Sequence, residues 1–202
     1  MTCNKDKKGY LKNYSSYLSE LLLRLDYGAV EEVIHCLLDA RDRDATIFFA
    51  GNGGSAATAS HFSQDLGEVG RKTGTKCFRT ISLNDSVPYM TALGNDYGYD
   101  RIFAGQLEAH FRKGDVLIVI SASGNSQNIL ESVKLANRSG GITIGLVGFD
   151  GGKLSGLCRH VVHTATKKGE YGPVEDVHLI LNHMITTCIM SHGAKSKSKR
   201  KG

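Results

Sequence analysis

Apolar residues recur along this chain in two rhythms. Five short runs carry no clean apolar–polar alternation: 46–50 (TIFFA), 78–83 (FRTISL), 116–121 (VLIVIS), 142–147 (ITIGLV) and 160–164 (HVVHT). Strands covered on both faces have this character, so the runs predict buried parallel strands. Between them apolar positions fall three and four apart. That spacing predicts helices over 55–69, over 86–110 with a break around Gly94–Gly98, over 126–138, and a short piece near 153–157. Helices over Tyr10–Leu25 and Ala29–Arg41 precede the first strand, and Val174–Met190 is a long apolar closing helix. Strand and helix in alternation predict a three-layer α/β/α sandwich, doubly wound on a five-stranded parallel sheet. Ligands of such sheets bind beyond the carboxyl ends of the strands, which directs attention to the loops leaving those ends.

Composition narrows the picture. With 202 residues, 41% hydrophobic and 22% charged, the chain has the makings of one domain with a real core. We expect that domain to span 1–193, N-terminal helices included, and 194–202 to be a disordered basic tail. The net charge of +5 is accounted for by Lys195, Lys197, Lys199, Arg200 and Lys201, so the remainder is neutral and no nucleic-acid partner is expected. No apolar run approaches ~18 residues, and no apolar segment follows the opening MTCNKDKKGY. A membrane span and a secretory signal are therefore not expected, and the protein is expected to be cytoplasmic. The five cysteines form no CxxC pair, which fits reduced thiols rather than a disulfide framework. Cys77 and Cys188 lie in apolar stretches and are expected in the core.

Two loops carry the candidate chemistry. Gly51-Asn52-Gly53-Gly54-Ser55 follows the first strand and fits G-x-G-x-x-A through Ala56. Its nearest candidate ribose carboxylate, Asp85, comes later than the ~20 residues usual for a dinucleotide site. Ser121-Ala122-Ser123-Gly124-Asn125-Ser126 follows the third strand and opens the next helix. Hydroxyls and free N–H groups at a helix N-terminus attract anions, with the helix dipole adding to the pull. One such loop is readily a turn or an N-cap; two of them at strand ends favour a phosphorylated ligand. Neither loop contains a Lys, unlike a nucleotide P-loop, so a small phosphate ester is the better fit.

GNGGSAATASHF, ALGNDYG, SASGNS, DGGKLSG and EDVHLILNH, in this order, resemble the sugar-isomerase (SIS) domain, most closely the bacterial phosphoheptose isomerases. The resemblance runs from about residue 10 to 190. It implies a flavodoxin-like doubly wound SIS fold and a homotetramer. It also implies interconversion of sedoheptulose 7-phosphate and D-glycero-D-manno-heptose 7-phosphate through an enediol, on the way to nucleotide-activated heptose. Contacts to the seven-carbon sugar phosphate are implied for Asn52, Gly53, Gly54, Ser55, Asn95, Asp96, Ser121, Ala122, Ser123 and Ser126. A non-catalytic SIS adaptor, binding a phosphosugar or a replication-initiation partner, is the alternative.

His61 and Asp65 are four apart and share a helix face. Glu175 and His183 lie eight apart on the closing helix, an interval that drifts by about 80° and rises by about 12 Å. By spacing alone, a surface ion pair explains the first two as well as a metal does. The resemblance implies Zn²⁺ held by His, Glu, Gln and His, at His61, Asp65, Glu175 and His183. Asp65 is thus a methylene shorter than the family's Glu, and Glu175 adds a charge where the family has Gln. Two His and two carboxylates remain a competent set for Zn²⁺. The resemblance gives Asp65 the base role, His183 the acid role, and Glu175 both metal and substrate; the longer Glu175 is the alternative base. His178, five residues before His183, is expected to be structural or an intersubunit contact.

Overall fold

In the computed structural model, which describes residues 6–198, the five runs form β1 (Thr46–Gly51), β2 (Arg79–Ser82), β3 (Val116–Ser121), β4 (Ile142–Val147) and β5 (His160–His163). All pairings are parallel, in the order β2-β1-β3-β4-β5. This is the flavodoxin-like order, whose topological switch point lies between β1 and β3. The expected sandwich is therefore the observed one. All six residues of β3 are buried, which explains why its sequence shows no alternation.

Within each strand the side chains alternate between two apolar layers. Ile47, Phe49, Ile118, Ile120 and Ile144 face α1 (Lys7–Leu23), α2 (Tyr27–Asp42), α3 (Gly54–Thr73) and α8 (Tyr171–Ser198), packing with Leu37, Phe62, Leu66 and Leu181. Phe48, Ala50, Leu117, Val119 and Val147 face the opposite layer, where α5 (Ala104–His110), α6 (Gln127–Arg138) and α7 (Leu154–Leu157) supply Leu107, Ile129, Val133 and Leu154. α3 and α6 thus leave adjacent strands toward opposite faces, and both N-termini open at the switch point.

Local chemistry explains the element ends. Asp6 and Asp26 cap α1 and α2 by accepting from the N–H groups of Gly9 and Ala29. The expected helix over 86–110 divides into α4 (Val87–Tyr97), a 3₁₀ turn at Tyr99–Arg101, and α5. The break is at Gly98, whose φ of 97° interrupts a helix and suits glycine. α8 runs to Ser198, into the segment expected as a disordered tail. The rest of that tail, 199–202, lies outside the described residues, as does Cys3.

Two further expectations change. Cys77 is exposed and Cys188 half-buried, not core thiols. In the loop before β2 it is Phe78 that turns inward, which leaves Cys77 outside. Among the described residues no helix is long and apolar enough to cross a membrane.

Candidate active site

A small cavity of about 120 Å³ lies beyond the ends of β1 and β3. Asn52 and Ser55 line it from one loop, and Ser121, Ala122, Ser123 and Ser126 from the other; Tyr171 and Glu175 of α8 complete the wall. Both helices that start here lack a side-chain cap. Gly53, the N-cap of α3, has a φ of 55° and a ψ of −123°, a conformation open to glycine. Ser126 is the N-cap of α6, yet its hydroxyl makes no capping bond. Among the described residues, the N–H groups of Gly54, Ser55, Gln127 and Asn128 meet no acceptor. Two bare helix ends therefore converge on one cavity, an arrangement that attracts an anion.

The serines are poised to donate. Ser121 Oγ accepts from Gly124 N at 3.2 Å, and Ser123 Oγ from Asn125 N at 3.3 Å, which leaves both hydroxyl hydrogens for a ligand. Asn52 is more heavily engaged. Its Oδ1 accepts from Asn128 Nδ2 at 2.9 Å and from the Tyr99 hydroxyl at 3.1 Å, while its Nδ2 donates to Asn128 Oδ1 at 2.9 Å. The candidate ribose carboxylate, Asp85, accepts from the Ser60 hydroxyl instead.

Glu175 also lines a second cavity, of about 250 Å³, together with Gly54, Ala57, Thr58 and His61. Those four α3 residues fall at i, i+3, i+4 and i+7, a single helix face. Small side chains occupy its first two turns, and His61 and Asp65 occupy the next two. Asp65 Oδ2 lies 3.2 Å from His61 Nε2, 3.7 Å from His183 Nε2 and 3.0 Å from the donating Asn182 Nδ2. The His61 and His183 rings stand edge to face at 5.1 Å.

His61, Asp65 and His183 each offer a ligand atom, all within 4.8 Å of one another. Tetrahedral Zn²⁺ with bonds near 2.1 Å has ligand edges of about 3.4 Å, so this nitrogen-and-oxygen group fits the ion. The fourth expected ligand, Glu175, stands outside that group. Its carboxylate packs against Gly54, where a Cβ would collide with it. The two-turn interval along α8 is the reason: it carries Glu175 toward the serine cavity while His183 faces α3.

Asn95 and Asp96 sit exposed at the end of α4, bonded to each other at 2.8 Å, and line neither cavity. Their helix has no buried residue, so nothing draws them inward.

Sequence reasoning missed Tyr171, whose ring packs edge-on against Phe149 at 5.0 Å. It missed the supports of α8 too. Tyr14 donates to Asp176 Oδ2 at 2.5 Å and Tyr17 to Glu170 Oε2 at 2.7 Å, tying α1 to the turn that carries Tyr171 and Glu175. The bond to Asp176, with burial and the carboxylate's charge, pushes the Tyr14 hydroxyl up to about 12. A run of tyrosines three and four apart in the first helix is the available signal.

His178 is completely buried, and among the described residues neither ring nitrogen has a hydrogen-bond partner. Burial lowers its pKa to about 4, offset only in part by the nearby Val147 carbonyl.

Residues 9–148 match the SIS domain family. A phosphoheptose isomerase of Aliarcobacter butzleri (strain RM4018) is 43% identical over 144 residues, 71% of this chain and 74% of that protein. One from Helicobacter pylori (strain ATCC 700392 / 26695) is 37% identical over 167 residues, 82% and 85% of the two chains. The solved phosphoheptose isomerase of Neisseria gonorrhoeae superposes with a TM-score of 0.80 at 31% identity, covering 91% of this chain and 96% of that one. With its motifs in order and its fold shared, the chain belongs to the phosphoheptose isomerase family of SIS domain proteins.

Proposed function

We propose that this protein is an aldose–ketose isomerase, converting sedoheptulose 7-phosphate to D-glycero-D-manno-heptose 7-phosphate through an enediol, with Zn²⁺ as its metal. The observation that carries this reading is the face of α3, which joins an anion-attracting cavity at one end to a His–Asp–His cluster farther along. An adaptor with no chemistry to perform has no use for the second half of that path.

The phosphate takes donors from Ser55, Ser121, Ser123 and Ser126 and from the bare helix ends; the sugar chain runs past Glu175. Asn95 and Asp96 enter only through assembly. Asp65 turns Oδ2 toward both imidazoles and Asn182, which leaves Oδ1 to move the proton between C1 and C2. His183 exchanges a proton with the substrate oxygen through the ring nitrogen that the metal does not take. His61, Asp65 and His183 would hold the metal, with Glu175 able to approach by a side-chain rotation. Zinc, when bound, supplies Lewis acidity toward the oxygens on C1 and C2.

We also propose a homotetramer in the cytoplasm. α4 supports assembly: it is apolar yet unburied, and its end residues Val87 and Tyr97, with Tyr99 just beyond, are 61%, 69% and 64% exposed. The single domain and a basic tail that binds no nucleic acid complete the reading. NMR of the purified protein with sedoheptulose 7-phosphate, paired with metal analysis, tests it. Product formation that stops on chelation and returns with Zn²⁺ is expected. A zinc-loaded protein with no turnover would overturn the isomerase.

A further inference from the structure

The two loops that form the serine cavity belong to helices on opposite faces of the sheet. Beyond the backbone pairing of β1 with β3, one side-chain link joins them. Asn52 and Asn128 exchange two amide hydrogen bonds, each 2.9 Å long, and no other side-chain hydrogen bond among the described residues connects 51–55 with 121–128. Asn128 is only 2% exposed, although its place in the first turn of α6 looks like a solvated one.

The link is chemically demanding. Asn128 Oδ1 accepts both Asn52 Nδ2 and the backbone N–H of Ile129, each at 2.9 Å, while Asn128 Nδ2 serves Asn52 Oδ1. Only a carboxamide offers a donor and an acceptor in that relation. Aspartate has the same shape but would set a carboxylate oxygen against Asn52 Oδ1. Asn52 Oδ1 is also held by Tyr99, so among the described residues the Asn52 carboxamide has a single N–H hydrogen unclaimed by protein.

We propose that Asn128 is a positioning residue: through Asn52 it fixes the spacing between the N-termini of α3 and α6, and so sets the grip on the substrate's phosphate. This rests on the reading of the serine cavity as the phosphate site. The link acts on phosphate binding and leaves the chemistry at Asp65 and His183 alone.

The test uses the full-length protein, with inorganic phosphate as the binding probe and sedoheptulose 7-phosphate as the substrate. Asn128→Asp and Asn128→Ala should each raise the phosphate Kd and the KM about ten-fold while kcat stays within about three-fold, the size expected of one coupled polar pair. Asn52→Ala should raise the phosphate Kd similarly, and Asn52→Ala/Asn128→Ala should do no more than either single change. Should the Asn128 variants fail to fold, Asn52→Ala alone decides, because an unchanged Kd there overturns the proposal. Additive losses in the double variant, or a fall in kcat at constant KM, would also overturn it. If wild type binds no phosphate and Ser123→Ala leaves KM unchanged, the cavity is not the phosphate site. That result removes the broader reading, whereas normal wild-type binding with unaffected Asn128 variants removes this inference alone.

Discussion

The carboxylate of Glu175 occupies the space that a side chain on residue 54 would need. Gly54 opens α3, a position where alanine would ordinarily favour the helix by up to about 1 kcal/mol. Gly54→Ala should nevertheless lose activity at least about ten-fold, because the new methyl must displace Glu175 from the wall between the two cavities. Circular dichroism and a rate assay check this together. A folded variant at the wild-type rate would show that the position of Glu175 is immaterial.

The two carboxylates should respond differently to removal of charge. Glu175 lies outside the His61, Asp65 and His183 group, so Glu175→Gln is expected to retain zinc and turnover. Asp65→Asn should lower kcat by about 100-fold or more while the fold persists, as loss of a general base does. Metal analysis with single-turnover rates reads both. A dead Glu175→Gln beside an active Asp65→Asn would move the base to Glu175.

Hydroxyls in the second loop should govern binding. Ser123→Ala combined with Ser126→Ala is expected to raise KM strongly with little change in kcat, since hydrogen bonds to a charged group contribute about 1.5–3 kcal/mol each. Steady-state kinetics suffices, and an unchanged KM would take the loop out of the site.

Acid should weaken the fold through His178. Its folded pKa of about 4 lies below the unfolded value near 6.5, so between these values the unfolded chain binds more protons. Stability from keeping this ring neutral is complete above about pH 6.5 and declines as pH falls toward 4, by about 3 kcal/mol in all. His178→Gln should flatten the fall in unfolding midpoint between pH 7 and about 4.5, followed by urea titration at each pH. An equally steep fall in the variant would locate the acid sensitivity elsewhere.

Local spacing made much of this legible. The strand runs, the two loops at strand ends and the shared face of His61 and Asp65 all follow from period and interval within one element. What escaped depends on contacts across elements. Asn128 looks like an ordinary polar residue of a helix's first turn until Asn52 arrives from another layer. Glu175 and His183 share a helix, but only the packing of α8 on α3 decides that one faces the serine cavity and the other Asp65. Asn95 and Asp96 lie exposed on a helix with no buried residue, a placement that their spacing in the sequence does not report.

The lining of α3 has one more consequence. From Gly54 to His61 the helix advances about 10 Å, and Asp65 lies about 6 Å farther on. On the proposed reading, a substrate anchored by phosphate near the start of α3 presents its carbonyl end to the cluster that begins with His61, two turns along. On that placement the helix would work as a ruler, and because it is a helix packed through Phe62 and Leu66 on the sheet and not a loop, its length does not adjust to shorter sugars. On the proposed placement of the phosphate, chain length would be selected by reach before any hydroxyl stereochemistry is read.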